Sequence, residues 1–91
     1  MNEQVSASHI LVSTLEEAIA LQNKLFEGAD FGDLARAHSR CPSKANGGQL
    51  GTFGRGQMVP EFESATFALD IGQVSEPIQT QFGFHLIHRT G

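Results

Sequence analysis

The chain has 91 residues, which is enough for one domain over residues 1–91 but not for two. Hydrophobic residues make up 40% of the chain and charged residues 18%, a balance that is typical of globular proteins. A formal net charge of −4 argues against a nucleic-acid partner, because such partners need a basic field. We therefore expect a small globular domain, and we expect it to be a monomer.

The first half of the chain predicts a strand followed by helices. Residues 5–12 have few charges and end in a β-favouring apolar run, which predicts a buried strand. Thr14 and Glu17 have the spacing of a helix capping box, and Gly28 suits the end of that helix. The residues between them that follow helical spacing are Leu15, Ala18, Ile19, Gln22, Leu25 and Phe26. Asp30 begins a second, shorter helix.

The second half predicts strands around one further helix. Residues 39–48 are turn-like, because Pro42 disfavours helix at Cys41 and two glycines end the stretch. Residues 49–53 predict a short strand, Pro60 suits the first position of a helix, and residues 74–80 and 82–89 are extended. The predicted order is a strand, three helical pieces, a strand, a helix and two strands. This order indicates an α+β domain with helices around a four-stranded, largely antiparallel sheet.

Two histidines, His9 and His85, lie in the middle of predicted strands. Burying an imidazole without a hydrogen-bond partner costs about 1–3 kcal/mol, so each position needs an explanation. A single histidine of this kind is usually structural and satisfied by a neighbour. Two of them could be each other's partners if their strands are adjacent. His38 and His88 resemble surface or edge residues, and we assign them no role.

Several large apolar residues stand where a loop meets a predicted element, namely Leu50, Met58, Phe62 and Phe82. Core packing is the usual role of such residues. Met58, however, follows a polar, glycine-containing loop and precedes Pro60, and Phe62 comes one helical turn later. A methionine and an aromatic residue at a loop–helix junction are suited to an apolar recess that binds a ligand.

The sequence predicts neither a metal site nor a cofactor. The four histidines have no close-paired spacing of the kind that zinc sites use, and the acidic residues are scattered. The glycines of residues 51–56 do not join a strand to a helix, so they do not form a phosphate-binding loop.

Three blocks of the chain resemble the parvulin family of peptidyl-prolyl cis/trans isomerases. Residues 8–12 (SHILV) resemble the opening strand of parvulins, and residues 48–62 (GQLGTFGRGQMVPEF) resemble their central signature. Residues 81–87 (QFGFHLI) resemble their closing strand. The resemblance extends over residues 6–90 in the family's order. It implies the parvulin fold and an enzyme that rotates the amide bond preceding proline.

The resemblance also implies a role for individual residues. His9 and His85 match the two sheet histidines that bond to each other beneath the active site. Cys41 matches the active-site cysteine position, and Thr80 a hydroxyl residue of the same network. These four are the expected catalytic residues. The expected substrate-binding residues are Met58 and Phe62 in the proline pocket, with Leu50 and Phe82 flanking it.

One departure from part of the family concerns phosphate. Phosphate-directed parvulins carry a basic loop between the first strand and the first helix, whereas here Val12-Ser13-Thr14 leads directly into the helix. The expected enzyme is the small, stand-alone bacterial type, which is not phosphate-directed. Four basic residues, Arg36, Arg40, Lys44 and Arg55, fall in one stretch and could form a rim that favours acidic peptides. Surface arginines and lysines are more often simply solvated.

Two other readings stay open beside the isomerase. The first is a non-catalytic, chaperone-like module that binds peptides. The second is a cysteine hydrolase based on Cys41, which needs an oxyanion hole; Pro42 has no N–H to donate to it. For the isomerase we predict a non-covalent mechanism.

The expected partners are proline-containing peptides and unfolded or partly folded polypeptides, with neither nucleic acid nor membrane. A single cysteine excludes an internal disulfide and suits a reducing compartment. No signal-like or membrane-spanning apolar run is present in the sequence, so the expected location is the cytoplasm.

Overall fold

Two long strands form the middle of the sheet in the computed structural model, which describes residues 3–91. The strands are β1 (Gln4–Val12), β2 (Gln49–Gly54), β3 (Ile78–Thr80) and β4 (Gly83–Arg89). Their order across the sheet is β2-β1-β4-β3, and all three pairings are antiparallel. β1 and β4 are therefore the central strands and β2 and β3 are the edge strands, and most residues of central β1 are buried.

The helices begin where their capping residues predict. They are α1 (Leu15–Phe26), α2 (Phe31–His38), a 3₁₀ helix (Pro42–Asn46) and α3 (Pro60–Ala68). The N–H of Glu17 donates to the Thr14 hydroxyl at 3.2 Å, and the N–H of Asp33 donates to the Asp30 carboxylate at 3.0 Å. These bonds satisfy N–H groups that have no partner inside a helix. No helix within residues 3–91 is long and apolar enough to cross a membrane.

The sheet has a core on each face. Because side chains alternate along a strand, Ile10 and Leu86 point to the face that α1 and α2 cover, and Ile87 points to the face that α3 covers. Leu21 of α1 packs on the first face, and Phe62 of α3 on the second. The predicted α+β class and element order are confirmed.

Three local predictions are wrong or incomplete. In α1 the buried residues are Ala18 and Leu21, whereas Ile19 and Phe26, which the helical spacing grouped with Ala18, are 42% and 81% exposed. Residues 39–48, predicted to be turn-like, contain the 3₁₀ helix. Of the extended residues 74–80 only Ile78–Thr80 form a strand, while Val74 makes a single bridge to His88.

Candidate active site

His9 and His85 meet on the face of the sheet that α3 covers. His9 is opposite Ile87 and Leu11 is opposite His85, so the two histidines are diagonal neighbours on adjacent strands. A diagonal pair is within reach of aromatic side chains. Their Nδ1 atoms are 3.0 Å apart, and their rings are nearly parallel with centroids 5.2 Å apart. Both side chains are buried, as the prediction of two mutually bonded histidines requires.

Thr80 extends this contact toward the β3–β4 turn. Thr80 pairs with Gly83 across the hairpin, and its hydroxyl oxygen is 2.7 Å from Nε2 of His85. The same oxygen accepts the N–H of Phe82 at 3.2 Å. The result is a linear chain of three side chains, His9–His85–Thr80, that runs from the interior to the turn.

The histidine pair is neutral near pH 7 and holds one hydrogen between its two Nδ1 atoms. Burial, and secondarily repulsion from His85, lowers the pKa of His9 from 6.5 to about 4, and burial also lowers the pKa of His85. If His85 donated to His9, then Nε2 of His9 would carry a buried N–H, for which the described residues offer no partner. Buried N–H groups without a partner are rarer than unpaired acceptors. The favoured arrangement is therefore His9 donating to His85 and His85 donating to Thr80.

Phe62 packs against both imidazoles and is the centre of the apolar part of the site. Its ring is edge-on to His9 and His85, with centroids 5.4 and 5.2 Å away. Leu50 and Met58 are half-buried and pack against the apolar cluster that contains Phe62. Phe62 itself is 3% exposed, so it is a core residue as well as a candidate pocket wall.

A buried serine brings the Cys41 segment to the same part of the sheet. The Ser39 hydroxyl accepts the N–H of Leu11 at 3.0 Å and the N–H of Cys41 at 3.3 Å. The N–H of Arg40 donates to the Leu11 carbonyl at 2.7 Å. Leu11 is opposite His85, so these bonds hold the half-buried Cys41 beside the strand that carries the site. Ser39 was not predicted, since a serine after a helix has no distinctive sequence signal.

Two glycines fix the backbone around the histidines. The N–H of His9 donates to the carbonyl of Gly48 at 2.9 Å. A Cβ atom on Gly48 would collide with the carbonyl of His9, and one on Gly83 would collide with the carbonyl of Val12. Both glycines also have positive φ angles, of 83° and 137°, which side-chain-bearing residues rarely adopt.

The structure brings most of the predicted residues together. His85 contacts His9, Thr80 and Phe62, and Leu50 and Met58 belong to the surrounding apolar cluster. Phe82 is 61% exposed on the β3–β4 turn, where its backbone bonds to Thr80. Their roles in catalysis and binding stay predictions.

The arginines of residues 36–55 have different partners and do not form one basic rim. Arg36 pairs with Asp33 at 3.0 Å, and Arg55 pairs with Glu3 and Glu63 at 3.3 and 3.5 Å and lies over the Phe67 ring. Arg40 donates to the Ser13 hydroxyl at 2.6 Å. Two of the three guanidinium groups are thus already matched by carboxylates.

Known proteins are similar to this chain over all the residues of the candidate site. Residues 9–91 match the family model described as a rotamase, PPIC-type PPIase domain. The chain is 40% identical to the peptidyl-prolyl cis-trans isomerase Pin1 of Digitalis lanata, covering 99% of this chain and 98% of that protein. It is 48% identical to the foldase protein PrsA of Geobacillus sp. (strain WCH70), over 96% of this chain but only 32% of the foldase. It thus spans about a third of the foldases that it matches.

A solved structure agrees with the fold from end to end. The solution structure of NmPin, the parvuline of Nitrosopumilus maritimus, superposes with a TM-score of 0.89 at 47% identity. The superposition covers 100% of this chain and 98% of that one.

Proposed function

The chain belongs to the parvulin, or PPIC-type, family of peptidyl-prolyl cis/trans isomerases, and from this premise we propose that it rotates Xaa-Pro bonds in partly folded polypeptides. The observation that carries the proposal is the buried chain His9–His85–Thr80 beside the apolar cluster around Phe62. An apolar recess suits the pyrrolidine ring of proline, and the polar chain suits the amide next to it.

The task is energetically modest. Amide resonance sets a barrier of about 18–20 kcal/mol, and uncatalysed rotation takes about tens to hundreds of seconds. A turnover on the order of 10² per second requires a barrier reduction of about 5–6 kcal/mol. Contacts that favour the twisted amide over the planar one supply such an amount without a bond to the enzyme. We therefore propose a non-covalent mechanism.

The favoured tautomers give Thr80 a particular role. When His85 Nε2–H donates to the Thr80 oxygen, which also accepts the Phe82 N–H, the hydroxyl hydrogen of Thr80 is free to donate. We assign it to the carbonyl that precedes proline as that carbonyl swings. In this scheme His9 and His85 are positioning residues, because they set the direction of the Thr80 hydroxyl without touching the substrate. Cys41 lines the same space with a weakly polar thiol.

Ring capture is assigned to Phe62, Met58 and Leu50. Half-buried Met58 and Leu50 are partly accessible to a ligand, whereas Phe62 is buried, and we assign it to the floor of the proposed recess. To Phe82, which is exposed on the turn next to Thr80, we assign contact with the residues that flank proline. Excluding water from this recess favours rotation, since water stabilises the planar amide more than the twisted one.

The substrate does not need a phosphate group in our proposal. Residues 13–14 join β1 to α1 with no inserted loop, and the Arg36 and Arg55 guanidinium groups are occupied by carboxylates. Clients are proline-containing, unfolded or partly folded polypeptides. We further propose that the domain acts as a monomer in a reducing compartment such as the cytoplasm, in keeping with its single, unpaired cysteine.

A peptide-binding module without catalysis is the second candidate. It is favoured by the structural match to a protein of Campylobacter jejuni described as a SurA-like chaperone, of which this chain covers 38%. Both candidates use the same apolar recess, and they differ in whether the bound amide rotates.

NMR exchange spectroscopy on a short Xaa-Pro peptide separates the two. With catalytic amounts of protein, cis and trans resonances should show exchange cross-peaks on a sub-second timescale that are absent without it. A panel of peptides that differ before proline guards against an unsuitable sequence. Binding without cross-peaks throughout that panel would favour the chaperone-like module.

A further inference from the structure

α1 carries an apolar strip that the other described residues leave exposed. Leu15, Ile19 and Phe26 are 46%, 42% and 81% exposed, and their spacing places them on one side of the helix. The strip extends for about 16 Å at the helical rise per residue. Large exposed apolar residues that are grouped in this way mark interaction surfaces more often than scattered ones do.

A cleft of about 230 Å³ continues the strip at the C-terminal end of α1. Gln22, Leu25 and Phe26 form one wall, and Val74 and Ser75 form the other. The second wall is fixed, because Val74 bridges to His88 and the Ser75 hydroxyl accepts the N–H of Ile87 at 3.0 Å. A cleft of this size admits one or two side chains but not a helix about 10 Å across. It therefore suits an extended chain.

The edge of this surface is acidic. Glu16 lies on the stripe of α1 next to the apolar strip, Glu27 is the capping residue that follows Phe26, and Glu76 directly follows the cleft residue Ser75. None of these three carboxylates takes part in an ion pair within residues 3–91. Lys24 falls on the opposite side of α1. A second copy of this chain, with its net charge of −4, would bring like charge to the surface, whereas a basic segment would complement it.

We propose that the α1 strip and its cleft form a second binding surface for the client polypeptide, one that holds extended segments with apolar and basic side chains. This inference rests on the proposed function, since the client is the polypeptide whose proline occupies the recess around Phe62. α1 covers the other face of the sheet from His9 and His85.

Only a long client can occupy the recess around Phe62 and the cleft beside α1 at the same time. The cleft lies at the β3 side of the sheet, and the shortest extent of the domain is 22 Å. An extended chain that passes around this edge needs about eight to ten residues at roughly 3.3 Å each. A client held at α1 keeps its proline near the recess and raises the effective concentration there. A short peptide has no such advantage.

The test compares two peptides with the same Leu-Pro core. One is short, and the other continues through a Gly/Ser spacer of about ten residues into a Leu-Lys-Phe-Lys-Leu tail. Exchange spectroscopy should give a KM about three- to tenfold lower for the long peptide. Replacing the tail lysines by glutamate should abolish this gain.

The variant Ile19→Gln/Phe26→Gln should lose the advantage of the long peptide and keep wild-type turnover of the short one. Glutamine favours helix, so α1 is retained. Lys24→Gln, on the exposed side of α1 opposite the strip, is the matched control and should behave as the wild type. Equal KM values for both peptides with the wild type, or an unchanged gain in the double variant, would overturn the proposal.

Two further measurements separate this inference from the isomerase activity. Amide shifts of α1 on addition of the proline-free tail peptide test the surface even if no peptide is isomerised, and shifts confined to other elements would refute it. Sedimentation tests for self-association. A wild-type dimer that Phe26→Gln converts to a monomer would show that a second copy covers the strip, and the client proposal would then fail.

Discussion

Acidification should destabilise the domain through His9. The unfolded chain binds a proton at this position below pH 6.5, while the folded state resists protonation until about pH 4. Between these values the unfolded state holds more protons, so stability falls as the pH falls. The stabilisation is fully present above pH 6.5 and is lost on descending toward pH 4.

The size of the effect follows from the two pKa values. A shift from 6.5 to about 4 corresponds to about 3 kcal/mol over the whole window, and to about 2 kcal/mol between pH 7 and pH 5. For a domain of this length, 2 kcal/mol amounts to a fall in Tm of about 8–16 °C. The lowered pKa of His85 acts in the same direction.

Urea unfolding at a series of pH values measures this loss. The chain contains neither tryptophan nor tyrosine, so far-UV circular dichroism is the suitable signal. The midpoint should fall by about 1 M between pH 7 and pH 5. In His9→Leu the slope of stability against pH should be markedly shallower, whatever the variant's absolute stability. His38→Gln, which removes an exposed histidine outside the site, is the control and should keep the wild-type slope.

A slope in His9→Leu as steep as that of the wild type would refute the reasoning, because the proton uptake would then lie elsewhere. A wild-type stability that is flat from pH 7 to pH 5 would do the same.

The remaining predictions concern the site. Phe62→Ala should lower the free energy of unfolding, measured in urea, by about 3–5 kcal/mol and should also lower kcat/KM. Met58→Ala should lower kcat/KM with a smaller loss of stability. If both variants are folded and fully active, the pocket lies elsewhere. Thr80→Val should lower kcat about three- to tenfold, because one hydrogen bond to the substrate is lost. Exchange spectroscopy on the folded variant measures this, and an unchanged kcat would show that Thr80 has no part in the mechanism. Phosphorylating Ser in a Ser-Pro peptide should change kcat/KM by less than about tenfold, or 1.4 kcal/mol, and a larger preference would contradict the missing clamp. Cys41→Ser should retain isomerase activity, and mass spectrometry of quenched wild-type enzyme should find no acylated Cys41; inactivity of the folded variant together with an acylated thiol would establish covalent catalysis.

The sequence predicts the sheet and its histidines because their signals are local. The apolar runs that end β1 and fill the middle of β4 each contain one histidine, His9 or His85, and alternation alone places His85 and Ile87 on one face. To predict the bond between His9 and His85, it was enough to assume that their strands are neighbours in the sheet. The resemblance to parvulins supplied the remaining site residues, and the confirmed fold places most of them in one region.

Other features depend on tertiary placement, and local patterns do not encode it. Helical spacing predicts that Ile19 and Phe26 share the buried face of α1 with Ala18. In the structure α1 contacts the sheet through a narrower stripe that includes Ala18 and Leu21. The 3₁₀ helix at residues 42–46 follows a segment that Ser39 ties to Leu11, a contact between residues 28 positions apart. Neither could be anticipated from neighbouring residues.

The fold tolerates the cost of burying the polar side chains of the site because β1 has two different faces. Ile10 and Val12 bury completely against α1 and α2, while His9 and Leu11 alternate with them toward α3. Apolar burial on the first face stabilises the strand by about 25 cal/mol per Å² and offsets the cost of the imidazoles on the second. Because β4 pairs with β1 on one edge and with β3 on the other, and the His9 N–H is bonded to Gly48, the histidines have little freedom to move relative to Thr80. We propose that the barrier falls by about 5–6 kcal/mol through oriented hydrogen bonds and desolvation, without a covalent bond to the enzyme. Such a mechanism requires this rigidity. The two central strands, β1 through His9 and β4 through His85, are therefore the ones suited to orient the Thr80 hydroxyl that we propose as the donor to the substrate carbonyl.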